Sequence, residues 1–384
     1  LAFRNIVSQP GKTALALSGI GIAIVLMFMQ LGFLGAVQDT ATNVYDKLSF
    51  DLLLRSPDYL HLADAGRLTR QPLDEVAGMS GVAAVNRLRI AMSKWRDPQG
   101  RDRGVLLLGV RPRHSPFCDS QVDQDLERLE SRATVLIDRK SQAEFGPADG
   151  QRFGLADLGR TVVVGETPVV VAGLFTMGAG LTSNGAALVS EETFGRLVPY
   201  FAEHDYSFGL VRLEPGIDWR PVLERIEARF RLPDGSVSVE VLPRGEVRNR
   251  ELHRWISETP IGFIFSLGVA IAAMVGAVIV YMILANDVSS RIPEYATLRA
   301  MGYSSQYLAS VVMKQAWYLA LMAFVPSVLM AWALYWATGA WAGVALTMTW
   351  PRVLGVFAAT VSLCAAAGVV ALQKLWKVQP AELF

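Results

Sequence analysis

Four long runs of this chain contain no Asp, Glu, Lys or Arg: Ala14–Val37, Ile261–Ala285, Ala316–Ala337 and Val353–Gln373. A helix needs roughly 20 mostly apolar residues to cross the hydrocarbon core of a bilayer, and every run meets that length. Lipid offers backbone N–H and C=O groups no partner, so each crossing segment must be helical. Pro326 in the third run is compatible with this and is a place for a kink. A single run of this kind could be a buried core helix, but four of them point to a membrane. The first run is longer than the apolar part of a signal peptide and no A-x-A site stands between it and the soluble stretch, so a retained anchor is expected.

The charges lie elsewhere. Of 35 acidic residues, all but Asp287, Glu294 and Glu382 fall between Gln38 and Glu258, a stretch with 28 of the 36 Lys and Arg. That stretch has the composition of a soluble domain. The fold class expected is therefore an α-helical membrane protein with four transmembrane helices and a large mixed α+β domain inserted between the first and second. The expected divisions are a cytoplasmic start 1–13, a first span 14–37, a periplasmic domain 38–258 with two subdomains, and a second span 261–285. A cytoplasmic loop 286–314, a third span 316–337, a short external turn 338–352, a fourth span 353–373 and a cytoplasmic tail 374–384 complete the chain.

Orientation follows from Lys and Arg in the short flanks. Arg4 and Lys12 precede the first span, Arg291, Arg299 and Lys314 separate the second from the third, and Lys374 and Lys377 follow the fourth. Only Arg352 lies in the turn between the third and fourth. Both termini are expected in the cytoplasm and the large domain outside.

Within 38–258, a helix is expected to continue to about Leu48. Short β-type runs follow: "FDLLLR", "GVLLLGV", "ATVLID", "RTVVVG", "TPVVVAGLF", "GAALVS", "FGLVRL" and "SVSVEVL". "DWRPVLERIEARF" places Val222, Ile226 and Phe230 on one helical face. Asp97-Pro98, Asp149-Gly150, Glu214-Pro215-Gly216 and Pro233-Asp234-Gly235 are turn signals. "VRNRELHRWISETP" reads as a helix leading into the second span.

Several chemistries are excluded. Gly11-Lys12-Thr13 ends like a phosphate-binding loop, but the Gly required five residues earlier is Ile6. His61, His114, His204 and His253 are scattered without ligand spacing, and "HSPFC" reads as a surface loop. No G-x-S-x-G or H-E-x-x-H occurs. Cys118 and Cys364 fall in different compartments and cannot pair within the chain. No bound cofactor, metal, catalytic residue or nucleic-acid partner is expected, and membrane lipids surround the spans. Gly268, Ala272 and Gly276 line one face of the second span, and Gly32 and Gly35 lie near the outer end of the first. Such small residues allow close helix approach, within one subunit or in a dimer.

The loop "NDVSSRIPEYATLRAMGYSS" holds a short capped helix. Pro293 suits its first position, and Glu294 and Arg299 match the helix dipole at its two ends. Gly302 suits the residue that ends it, and Tyr295, Leu298 and Met301 share an edge. A helix this short is marginal in water, so it must lie against something, either the membrane surface or a cytoplasmic partner.

The segment "DVSSRIPEYATLRAMGYSSQYL" resembles the cytoplasmic loop of FtsX/MacB-type ABC transporter permeases, most closely the DevC-like branch. "LAFRNIVSQPGKTALALSGIGIAIVLMFMQLGF" and the closing "KVQPAELF" resemble that branch's two ends. The resemblance implies a non-catalytic permease paired with a second copy and with a separate ABC ATPase subunit that binds ATP and Mg. It implies that Arg291, Pro293, Glu294, Tyr295, Leu298, Arg299, Met301 and Gly302 form a coupling helix docking on that ATPase. It further implies a Gram-negative inner membrane, a periplasmic adaptor (membrane fusion) protein, an outer-membrane channel, and export of a lipid-like or amphiphilic substrate. Two other functions remain open within the same family: FtsX-like regulation of a periplasmic hydrolase, and lipoprotein release.

Overall fold

The computed structural model describes residues 10–119, 122, 125–148, 150–178, 185–290, 297, 301–342, 344 and 346–377. In chain order they form α1 (Pro10–Lys47), β1 (Leu52–Arg55), β2 (Leu68–Thr69), α2 (Arg70–Ala77), β3 (Val82–Arg96) and β4 (Asp102–Val110). Next come β5 (Thr134–Asp138), β6 (Thr161–Val164), β7 (Thr167–Phe175), β8 (Ala186–Ser190), α3 (Glu191–Leu197), β9 (Asp205–Tyr206) and β10 (Phe208–Leu213). The chain continues through α4 (Trp219–Phe230), β11 (Glu240–Pro243), α5 (Arg244–His253), α6 (Pro260–Ser290), α7 (Ser305–Ala342) and α8 (Trp350–Lys377). Two compact units result, one made of Gln38–Arg254 and the other of Leu1–Val37 with Trp255–Phe384.

The Gln38–Arg254 unit is built on a nine-stranded mixed sheet in the order β11-β1-β10-β3-β4-β8-β5-β7-β6. β1 and β4 are central strands, and their runs "LLLR" and "VLLLGV" are buried on both faces, which explains why they do not alternate. β3 joins the two halves of the sheet. Its first part pairs antiparallel with β10, up to Leu88↔Phe208, and its second part pairs with β4 from Arg89↔Gly109 onward. The far half curls until β6 returns to β3 through Trp95↔Val164, enclosing Trp95, Leu107, Val135, Ile137, Val171 and Phe194. Gly109 in β4 is required there, because a Cβ would come within 2.8 Å of the Phe194 ring. On the near half, α4 buries Val222, Ile226 and Phe230, and α2 buries Leu73 and Val76. Asp218 caps α4 by accepting from the Arg220 N–H at 3.2 Å.

Most expected strands occupy their expected places; one differs, and the longest strand was not among those expected. "SVSVEVL" forms a strand only over Glu240–Pro243, because Asp234 accepts from both the N–H and the hydroxyl of Ser236 and prolongs the preceding turn. β3, the longest strand, covers a segment that shows no alternating signal.

Among the described residues, four helices are long and apolar enough to cross a membrane: Thr13–Lys47, Pro260–Ser290, Ala309–Trp341 and Trp350–Val370. Ile20, Ile24, Phe28, Leu284, Leu319, Ala323 and Val356 belong to their shared core. The helices extend past the uncharged runs, because helical hydrogen bonding does not stop where charge begins. α7 ends at Ala342 and α8 starts at Trp350, so the connection between them is shorter than 338–352. α6 and α7 likewise encroach on 286–314 from both ends.

Candidate functional site

The chain enters the Gln38–Arg254 unit through the last turns of α1 and leaves it through α5. Between these two connectors lies a buried polar cluster, all of it inside that unit. Tyr45, on α1, is almost fully buried, and its hydroxyl lies 2.7 Å from that of Tyr59, just after β1. The Glu251 carboxylate on α5 lies close enough to Tyr59 for its charge to act on the phenol. Arg55 closes β1 with its side chain inside the unit, where its Nε donates to Glu240 Oε2 at 2.6 Å. Its Nη1 faces Glu251 Oε1 at 3.7 Å, an ion pair too long for a hydrogen bond.

Aromatic faces complete the charge balance. The Arg55 guanidinium lies 4.2 Å from the centre of the Tyr59 ring and that of Arg254 lies 5.5 Å from it. Phe208 packs against both tyrosines, with ring centres 5.9 Å away in each case. Nearer the surface, Arg248 Nη1 donates to Asp46 Oδ1 and Arg244 Nη2 to the Asp46 carbonyl, both at 3.3 Å. Burial pushes the Glu251 carboxyl above its ordinary range, although the Tyr59 hydroxyl, Arg55 and Arg254 pull the other way. Burial also raises the Tyr59 phenol, and the neighbouring Glu251 charge adds to it. Among the described residues, no group of three or more His, Cys, Asp or Glu could hold a metal ion. This arrangement fixes α1 to α5 with strong, directional bonds. It is suited to passing a movement of one connector to the other.

Sequence reasoning missed this cluster. A signal existed in two places. "FDLLLR" ends an otherwise apolar central strand with Arg55, and Glu251 stands four residues after buried Val247 on the inner face of α5.

The small residues singled out in the sequence lie against partners of their own chain. A Cβ on Gly32 would stand 2.5 Å from the Tyr335 hydroxyl, which donates to the Phe28 carbonyl. Gly35 is covered by the Arg352 guanidinium, Gly268 by the Gln30 amide and Gly276 by the Ala23 methyl, and Ala272 is buried in the helix core. Of the expected docking helix, Arg291, Pro293, Glu294, Tyr295, Leu298 and Arg299 lie outside the described residues. Met301 is exposed, its N–H bonds the Thr297 carbonyl at 3.0 Å, and Gly302 adopts φ +93°.

Residues 13–229 match the model of the MacB-like periplasmic core domain, and residues 266–380 match that of the FtsX-like permease C-terminal region. No curated protein sequence matches the chain significantly. Among solved structures, it is similar to the periplasmic region of MacB from Actinobacillus actinomycetemcomitans. That likeness has 11% identity and a TM-score of 0.36, and it covers 54% of this chain and 95% of that one. It is also similar to the extracellular domain of the noncanonical ABC-type transporter YknZ from Gram-positive bacteria. There the identity is 20% and the TM-score 0.34, with 50% of this chain and 98% of that one covered.

Proposed function

The chain belongs to the family that carries the MacB-like periplasmic core domain joined to an FtsX-like permease C-terminal region, and from that premise we propose that it is the permease half of an ABC exporter. Two copies pair in a Gram-negative inner membrane with both termini cytoplasmic and the Gln38–Arg254 unit periplasmic. A separate ABC ATPase holds ATP and Mg, and the segment 291–302 docks on it. With a periplasmic adaptor and an outer-membrane channel, the complex exports a lipid-like or amphiphilic substrate. The permease itself binds no cofactor.

One observation carries this reading: the buried Tyr45–Tyr59 hydroxyl pair, Arg55 stacked on Tyr59 and paired with Glu251, and the Asp46–Arg248 bond link the entry helix to the exit helix of the Gln38–Arg254 unit. A domain whose two membrane connectors are locked together is suited to respond as a body to motion of the spans.

The deciding experiment co-expresses the tagged chain with candidate ABC ATPases of its own genome and reconstitutes the complex in proteoliposomes. Capture of the ATPase, ATP hydrolysis dependent on the permease, and nucleotide-dependent capture of the adaptor support an exporter. Capture of the ATPase together with activation of a periplasmic hydrolase, and no adaptor, identifies a regulator instead. Failure to capture any ATPase refutes the permease reading.

A further inference from the structure

Hydroxyl groups on the apolar helices bond main-chain carbonyls of the helical unit. Ser18 donates to the Ala14 carbonyl at 2.9 Å, Ser327 to that of Ala323 at 2.6 Å and Thr360 to that of Val356 at 2.8 Å. Tyr335 donates to the Phe28 carbonyl. Gln30 differs. It carries the one amide side chain in the uncharged run Ala14–Val37, and that side chain makes no hydrogen bond with the described residues.

α6 holds the amide in place. It lies over Gly268, where a Cβ would stand 2.5 Å from the amide carbon, 2.6 Å from Oε1 and 2.8 Å from Nε2. Phe33, almost one turn further along α1, stacks on Phe265 of α6 with ring centres 5.3 Å apart. Gln30 is only half-buried there, and its polar atoms are not sealed off, so they can be reached from outside the chain. Leu26 on α1 and Ile264, Leu267 and Ile271 on α6 flank it, and all four are exposed.

This apolar face thus holds one unmatched donor group and one unmatched acceptor. Leaving them so in hydrocarbon is costly, and lipid chains offer them no partner. The amide itself defines what would match it. Its N–H groups are partly positive and its oxygen partly negative, so a carboxamide is complementary to another carboxamide. Across a two-fold axis a residue meets its own copy, and each Oε1 then accepts from the other Nε2. Gly268 beside the amide leaves room for two helix pairs to approach closely at that level.

We propose that two copies of this chain meet in the membrane through the face formed by α1 and α6, with the two Gln30 amides bonded to each other. This contact rests on the pairing of copies in the exporter reading, and on nothing that involves the ATPase, the adaptor or the substrate.

The test uses the full chain alone, carrying Cys118→Ser and Cys364→Ala, in phosphatidylcholine liposomes. Energy transfer between copies tagged with donor and acceptor dyes is followed as the lipid is diluted. Gln30→Met keeps the length of the side chain and removes the amide, and it should weaken association about tenfold. In the same background, Gln30→Cys should give a disulfide-linked dimer on mild oxidation. Leu329→Cys, on the exposed side of α7, should give none. Should neither Gln30 variant fold, Leu26→Cys, one turn away on the same face, must give the cross-link. Unchanged association in a folded Gln30→Met overturns the contact and leaves pairing through another face standing. So does a dimer that no cysteine on the α1 and α6 face can cross-link. A chain that stays monomeric at every dilution overturns the contact and the pairing together.

Discussion

The Tyr45 and Tyr59 hydroxyls meet at 2.7 Å inside the Gln38–Arg254 unit, and Arg55, over the Tyr59 ring, carries the connection on to Glu251. Tyr45 rides on the helix that enters the unit, Tyr59 follows the first strand that Arg55 closes, and Glu251 rides on the helix that leaves. Tyr59 thus stands between the two connectors. Both hydroxyls are buried, and a polar bond without water competition is the kind whose loss is felt.

Tyr59→Phe and Tyr45→Phe should therefore cost about the same, since each removes the one hydrogen bond between the two hydroxyls, about 1 kcal/mol. The double variant should lose less than the sum, since both changes remove the same bond. Thermal melting of the purified full chain in detergent measures this. In the reconstituted exporter, Tyr59→Phe should lower transport per ATP hydrolysed, whereas equal loss of both would reduce the cluster to a fold-stabilising role.

Glu251 makes the cluster sensitive to pH. Its carboxyl titrates above the ordinary carboxylate value in the folded chain because it is buried, so the folded state holds the proton more tightly than the unfolded one. That contribution to stability is complete below the ordinary carboxylate pKa and is lost as pH rises through the raised one. Glu251→Gln cannot ionise and lacks this loss. The melting temperature of Glu251→Gln relative to native should therefore rise between pH 4 and pH 8. A difference that stays flat or falls would show that Arg55 and Arg254 outweigh burial.

Gly32→Ala should destabilise the helical unit, because its Cβ would enter the Tyr335 ring, 2.5 Å from the hydroxyl and 2.6 Å from the carbon that bears it. Overpacking of this kind typically costs about 1–3 kcal/mol. Tyr335→Leu in the same chain should recover part of the loss by vacating the space, although it gives up the bond to the Phe28 carbonyl. Melting curves of the two single variants and the double separate a steric clash from a general intolerance at Gly32. If Tyr335→Leu adds to the damage, the close approach is not its cause.

Much of this architecture was legible because its signals are local. Uncharged length marks the four helices, and "TPVVVAGLF" and "FGLVRL" coincide with β7 and β10 to the residue. β3 was not legible. "VAAVNRLRIAMSKWR" carries Arg87, Arg89, Lys94 and Arg96 among Ala, Leu and Met, which favour helix, and it becomes a strand because β10 and β4 pair with its two halves. The candidate site shares this property. Arg55 is a strand residue whose meaning comes from Glu240 and Glu251, both distant in sequence. A charged residue in a strand reads as a solvent-facing one until its cross-sheet partners are known.

The docking segment can be tested without knowing its partner's structure. Met301 and Tyr303 are exposed, and Tyr303 and Tyr307 pair with ring centres 5.0 Å apart, so apolar surface continues beyond the helix inferred over Pro293–Met301. Burying Leu298 against an ATPase groove should contribute about 1.5–3 kcal/mol, and Tyr295 is of the residue type that dominates interface energetics. Arg299→Glu would add a like charge at the helix C-terminus. Tyr295→Ala/Leu298→Ala should leave membrane insertion, permease pairing and melting temperature unchanged, because a docking helix spends these side chains on its partner and not on the permease fold. It should abolish ATPase capture and ATP-dependent export together. A helix that only lies on the membrane surface gives the opposite result: unchanged capture beside a lower melting temperature. Pull-down and melting measured on the same preparation decide between them.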